Sequence, residues 1–213
     1  MKPLFESDKV YHVYNRANGK ENLFITDENF RYFLKKYAEY IFPVADTLAY
    51  CLMPNNFHLL IKIRSPQNLL NHHQFLIKER KQGAKVVDEN GMFDYHKFVM
   101  LQFQHFLNGY SQAYNKRYQR KGALFLKNLK LKPVECEAYY SKLIHYIHYN
   151  PVHHGFCREA SDWTFSSFHA FLHHKRSKIA KQEVLEWFGG RQGFLEFHKC
   201  KPEKGFEIDF EDF

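Results

Sequence analysis

The stretch Tyr50-Cys51-Leu52-Met53-Pro54-Asn55-Asn56-Phe57-His58-Leu59-Leu60-Ile61-Lys62-Ile63 decides how this chain is read. Leu48 to Met53 and Phe57 to Ile63 are short apolar runs, and Pro54-Asn55 between them is turn chemistry. The pattern predicts two antiparallel strands joined by a tight turn. Side chains alternate along a strand, so Asn56 and His58 share one face while Phe57 points into the core. Two polar groups so placed can converge on one ion. On spacing alone, the plainer reading is a hairpin that carries a surface histidine.

Upstream, Val10 to Arg16 is rich in β-branched and aromatic residues and runs into the turn signal Asn18-Gly19, which predicts the first strand. A histidine at position 12 of that strand is read as packed in the core. Thr26-Asp27 is an N-cap signal, and Phe30, Phe33, Leu34, Tyr37 and Ile41 follow at helical spacing, with a stop near Pro43. Downstream, residues 65–80 hold a short helix, and the polar segment 81–94 reads as a loop insertion. Val99, Phe103, Phe106, Tyr110 and Tyr114 make one stripe of a helix from about His96 to about Tyr118. Ala123 to Leu131 is the expected fourth strand, closed by Pro133, and a helix over about Glu135 to Tyr149 follows. This order predicts an α+β fold: a ferredoxin-like antiparallel four-stranded sheet with helices, plus a C-terminal helical extension. In that extension Val184 to Phe188 and Phe194 to Phe197 read as two short helices split by Gly189-Gly190.

With 213 residues and 45% hydrophobic content the chain can bury one sizeable core, so residues 1–200 read as one domain. The segment 201–213 is an acidic tail, expected to be disordered. Glu203, Glu207, Asp209, Glu211 and Asp212 concentrate acid there, which leaves residues 1–202 with 30 basic against 18 acidic side chains. Such a body suits a polyanion, most simply nucleic acid. Lys116, Arg117, Arg120, Lys121, Lys127, Lys130 and Lys132 follow one another with no acid between them. Cationic side chains neutralise phosphates, and the interleaved Tyr118 and Phe125 offer faces for unpaired bases.

Cys51, Cys136, Cys157 and Cys200 are scattered without a CxxC pair, which fits a reducing cytoplasm and neither a disulfide framework nor a zinc ribbon. No apolar run approaches membrane-spanning length, so a soluble, cytoplasmic protein is expected. The pairs His72-His73, His153-His154 and His173-His174 read as surface or DNA-facing groups, because adjacent side chains face different ways.

Four motifs carry a resemblance that spans roughly residues 9–199. Met53-Pro54-Asn55-Asn56-Phe57-His58 resembles the HUH signature of the single-tyrosine (IS200-like) transposases, in the REP-associated tyrosine transposase branch. The usual form there is Met-Pro-Asn-His-φ-His, and this chain has Asn56 in place of the first histidine. Tyr146-Ile147-His148-Tyr149-Asn150-Pro151-Val152 resembles the branch's tyrosine motif. Tyr11-His12-Val13-Tyr14-Asn15-Arg16 resembles its opening strand, and Trp163 to Phe168 its Trp-x-x-Ser-Ser-aromatic element.

The resemblance implies Tyr146 as nucleophile, with His58, Asn56 and Asn150 beside Mg²⁺ or Mn²⁺. Tyr146 and Asn150, four residues apart, share a helical face, and Pro151 is expected to leave Asn150 at a frayed end, reaching outward. The implied chemistry nicks and rejoins single-stranded or hairpin DNA through a 5′-phosphotyrosine. Asn56 keeps a second reading open, a binding-only protein with a degenerate site. The basic, aromatic segment also permits an RNA-binding domain. Nothing in the chain specifies an oligomeric state.

Overall fold

The computed structural model describes residues 3–79, 86–136, 138–173 and 176–202. Strand β1 (Val10–Arg16) is followed by helix α1 (Asp27–Tyr40), and the hairpin comprises β2 (Ala45–Met53) and β3 (Asn56–Ile63). Helices α2 (Pro66–Lys78) and α3 (Tyr95–Arg117) lead to β4 (Lys130–Val134). The strands form one antiparallel sheet in the order β2-β3-β1-β4, the ferredoxin-like arrangement expected from the sequence.

The strand period of two divides the molecule into two layers. Tyr11, Val13, Leu52, Phe57, Leu59 and Ile61 face α1 and α3, where Phe33, Phe103, Phe106 and Tyr110 close an aromatic core. Asn29 holds the start of α1 by accepting from the Thr26 amide at 3.1 Å, a reach back toward the helix cap. On the other face, Val10, Ala49, Cys51, Met53 and Leu60 pack against helix α4 (Ala138–His153). Behind α4 lie α5 (Phe168–Leu172), α6 (Lys181–Trp187) and α7 (Arg191–Lys199), whose Phe168, Phe171, Val184 and Phe194 complete this second core. Helix α4 is therefore wrapped on both sides, which is why six consecutive residues, Leu143 to His148, are all buried. Gly189 and Gly190, with φ of 67° and 103°, turn the chain between α6 and α7.

Several expectations are corrected. The fourth strand is Lys130–Val134, later and shorter than Ala123 to Leu131, and Pro133 lies inside it. Proline is tolerated because β4 is an edge strand. The preceding residues meet the end of β1 through an Ala17–Phe125 bridge, the Leu126 amide donating to the Arg16 carbonyl, and Asn15 Nδ2 donating to the Leu126 carbonyl at 3.1 Å. Helix α4 runs through Pro151 to His153 instead of stopping near Tyr149. Its packing between the sheet and the C-terminal helices outweighs the one amide that proline lacks. His73 is not a surface group. It is buried in the core, with its ring 4.8 Å from Phe93 and 5.2 Å from Phe98. Of the presumed loop 81–94, residues 86–94 are described: Val86 is buried and Val87 bridges Phe93 around a turn. The acidic tail from 203 lies outside the described residues, as do residues 80–85 and His174.

The outer edge of β2 is covered. Ser166 bridges Cys51, the Ser167 amide donates to Tyr50, and Ile179 bridges Thr47. Covering an edge removes a template for unwanted pairing. Among the described residues, no helix is long and apolar enough to cross a membrane.

Candidate functional site

Directly paired strand residues share a face, so the register places the polar groups. Cys51, His58, Tyr14 and Lys130 form one cross-strand row, with Leu60, His12 and Lys132 in the next and Met53, Asn56 and Arg16 on the other side. All stand on the face covered by α4. His12 is buried, as expected, but not by apolar packing alone. Its Nε2 meets His58 Nδ1 at 3.0 Å. The Tyr14 ring stacks on both, with centroids 4.7 Å from His12 and 5.7 Å from His58.

Burial, then the neighbouring His58 and Lys132, hold His12 well below the usual histidine range. Burial, reinforced by His154, pushes His58 down to about 3. Desolvation disfavours the imidazolium, so both rings are neutral near pH 7. Neutral imidazole is the form that binds a metal.

Helix α4 brings Tyr146 to this face. Its ring stands edge-on to His58, with centroids 6.1 Å apart and planes at 86°. Tyr146 is 7% exposed, and Asn150, one turn later, is 2% exposed. The expected outward reach of Asn150 is thus corrected: its amide is buried, because α4 continues past it. Asn150 Nδ2 and Asn56 Oδ1 are buried, and neither has a hydrogen-bond partner among the described residues. Asn56 uses its other amide atom to donate to Asn55 Oδ1 at 3.2 Å.

These atoms test whether the residues suit a divalent ion. Among the described residues no group of three His, Cys, Asp or Glu could hold one, so the donors would be one imidazole and two amides. An orphaned amide oxygen beside a neutral imidazole fits a hard cation that keeps several waters. A half-turn of the Asn150 amide about its last torsion exchanges its nitrogen and oxygen, so that side chain can also present an oxygen.

Sequence reasoning did not single out His148 as a functional residue, although it lies within the quoted tyrosine motif. It is fully buried on α4 and held from two sides. His198 of α7 places Nδ1 2.8 Å from the Phe194 carbonyl. A carbonyl only accepts, so that nitrogen carries the proton and Nε2 accepts from His148 Nδ1 at 3.0 Å. His148 Nε2 then accepts from the Ser167 hydroxyl at 2.7 Å. Burial pushes His198 down to about 3 and keeps His148 well below its ordinary range.

The basic stretch divides. Arg117 pairs with Glu28 at 2.6 Å, and Arg120 with Glu21, while Arg120 also brackets the turn carbonyls of Gly122 and Ala123. Lys116 lines a groove between α1 and α3 with Tyr32, Tyr110 and Tyr114, on the layer opposite Tyr146. Lys121 and Lys127 are exposed in the connection before β4. Lys130 and Lys132 stand on the Tyr146 face, in the rows of Tyr14 and His12.

An α+β sheet with a buried tyrosine helix laid over a histidine-bearing strand is the class of site defined here. The chain is 26% identical over 126 residues to the "Putative REP-associated tyrosine transposase" of Haemophilus influenzae, covering 58% of this chain and 59% of that protein. It therefore spans about three-fifths of the length of that relative. A solved REP-associated tyrosine transposase bound to a REP hairpin shares the fold, with TM-score 0.56 and 13% identity over 81% of this chain and 84% of that one. No protein-family model matches. The chain is thus similar in sequence and in fold to REP-associated tyrosine transposases, the branch its motifs resemble.

Proposed function

We propose that this chain nicks and rejoins single-stranded DNA at hairpins, with Tyr146 as the nucleophile. The observation that carries the reading is Tyr146 standing over His58, with Asn150 one turn away. The DNA-hairpin partner is supported by what the solved structural relative is bound to.

In the proposed step the Tyr146 oxygen forms a bond to phosphorus while the bond to the 3′ oxygen breaks. The tyrosine proton leaves to solvent, and the departing oxygen takes one up as a 3′-OH. A phosphotyrosine ester retains the bond energy, so the reverse attack rejoins the strand. A tyrosine hydroxyl titrates near about 10 and needs activation. His58, Asn56 and Asn150 would hold Mg²⁺ or Mn²⁺, which polarises the phosphate when bound. Lys130 and Lys132 would take flanking phosphates on the same face. Burial beneath α4 and Tyr14 keeps bulk water from the histidines.

Asn56, in the place of the branch's first histidine, favours a second reading: a protein that binds DNA hairpins without cutting them. The test is single-turnover cleavage of hairpin DNA with Mg²⁺ or Mn²⁺, scored for a covalent adduct. Adduct formation that disappears in Tyr146→Phe supports the first reading. Hairpin affinity without cleavage on several substrates supports the second. Equal or tighter affinity for RNA hairpins would sink both.

A further inference from the structure

We propose that His12 is a positioning residue for His58: it accepts the Nδ1 proton of His58 and so leaves Nε2 bare for a ligand. The inference rests on the reading of this face as a cation-assisted site. It adds a residue that neither the signature strand nor the tyrosine helix supplies.

The geometry carries it. His12 and His58 are diagonal neighbours, since His12 pairs with Leu60 and His58 with Tyr14. Their nitrogens are 3.0 Å apart, their ring planes 18° apart and their centroids 5.2 Å apart. That is the spacing of two imidazoles meeting edge to edge through one nitrogen pair. A cation shared by these two nitrogens would swing the rings toward each other and bring the centroids closer. The contact is thus a hydrogen bond between the rings, and His58 has its other nitrogen left for chemistry.

Two proton placements satisfy such a bond. In one, His58 Nδ1–H donates to His12 Nε2, and His58 Nε2 keeps its lone pair. In the other the donor is His12, and His58 carries the proton on Nε2, where it cannot coordinate. An isolated neutral imidazole favours the Nε2–H form, so a ligating His58 needs an acceptor at Nδ1. Metal-bound histidines nearly always have such a partner, usually a carboxylate, carbonyl or water. Here the partner is an imidazole, and Tyr14, stacked on both rings, fixes their planes.

The experiment uses the full chain labelled with ¹⁵N, in wild type, His12→Ala, His12→Gln and His58→Ala, each checked for folding by circular dichroism. Long-range imidazole correlations read the tautomer, and Mn²⁺ titration by electron paramagnetic resonance reads affinity. Wild-type His58 should be the Nδ1–H form. His12→Ala should shift it toward Nε2–H and weaken Mn²⁺ binding ~10–100-fold. His12→Gln, whose side-chain oxygen can accept the same proton, should recover most of both. An Nε2–H His58 in wild type would overturn the proposal, as would His12→Ala leaving tautomer and affinity unchanged. If His58→Ala abolishes Mn²⁺ binding and His12→Ala does not alter it, the cation site stands and the positioning role falls. If wild type shows the Nδ1–H form and takes up no Mn²⁺, the His12 contact stands and the cation site falls.

Discussion

The Ser167 hydroxyl lies 2.7 Å from His148 Nε2, joining the Trp-x-x-Ser-Ser element to the tyrosine helix. The same oxygen accepts from the Tyr50 amide at 2.9 Å, so one serine ties α4 to β2 two residues beyond Tyr146. Because the chain of donors ends on the Phe194 carbonyl, every proton in it is assigned. Each ring nitrogen along it has one role, and the serine hydroxyl both accepts and donates, which suits a link that holds a helix in place.

Ser167→Ala should therefore leave a buried imidazole nitrogen unpaired. The cost is about 1–3 kcal/mol, and thermal melts should move down by about 2–4 °C for each kcal/mol. If adduct formation depends on how α4 is held, it should slow while hairpin affinity stays close to wild type. Unchanged melting would show that a water donates to His148 Nε2 in place of the serine hydroxyl.

Tyr146→Phe should abolish any covalent protein–DNA adduct with little change in binding, because only the hydroxyl is removed. Tyr149→Phe should keep the adduct, since that ring packs 5.9 Å from His145 and not on His58. Denaturing gels of labelled hairpin substrate distinguish the two. The reverse pattern would move the nucleophile to Tyr149.

Hairpin binding should weaken as salt rises, with log K falling against log salt by about 0.7 for each contact to a single-stranded phosphate and about 0.9 for each on the duplex stem. Lys127 and Lys130 are exposed, and Lys130 stands on the Tyr146 face. Replacing both with Ala should flatten the slope by about 1.4–1.8. Arg117→Ala and Arg120→Ala should leave it nearly unchanged, because those guanidiniums are matched by Glu28 and Glu21. A slope that responds to the arginines and not the lysines would place the DNA on the α1–α3 layer.

Acid should destabilise the fold earlier than its carboxylates alone predict. His58 and His198 are pushed down to about 3 and His145 to about 4, in each case chiefly by burial. Below about 6.5 the unfolded chain takes up protons that the folded rings refuse, so stability falls with pH toward the folded values. Above that point these groups are neutral in both states and contribute no slope. Melting temperature followed from pH 8 to about 4 checks this. A flat profile over that window would mean that the rings titrate without disturbing their contacts.

Asn56→His would restore the usual pair of histidines on one strand face. Asn56 is half-buried beside His58, and its side-chain oxygen has no partner among the described residues. An imidazole there should tighten Mn²⁺ binding by about tenfold and raise cleavage, with a smaller gain for Mg²⁺. Equal Mn²⁺ affinity in both proteins would remove position 56 from the ligand set.

Much of this molecule is written locally. Pro54-Asn55 between two apolar runs specifies the β2–β3 hairpin, and the alternation around Phe57 puts Asn56 and His58 on the face away from the aromatic core. The stripe from Val99 to Tyr114 specifies α3 in the same way. Such features depend on neighbours within a few residues, which is what periodicity records.

Tertiary structure decided the rest. Ala123 to Leu131 has strand composition, but β4 forms at Lys130–Val134, because its register depends on which β1 residues remain to be paired, about 120 positions away. Pro151 is a local stop signal, overridden because α4 gains packing on two sides. His12 and His58 each alternate correctly along their strands. Only the placement of β3 beside β1 brings their nitrogens to 3.0 Å, and only α4 crossing that face sets Tyr146 over them. A polar group's chemistry depends on what is buried beside it, and that neighbour comes from elsewhere in the chain.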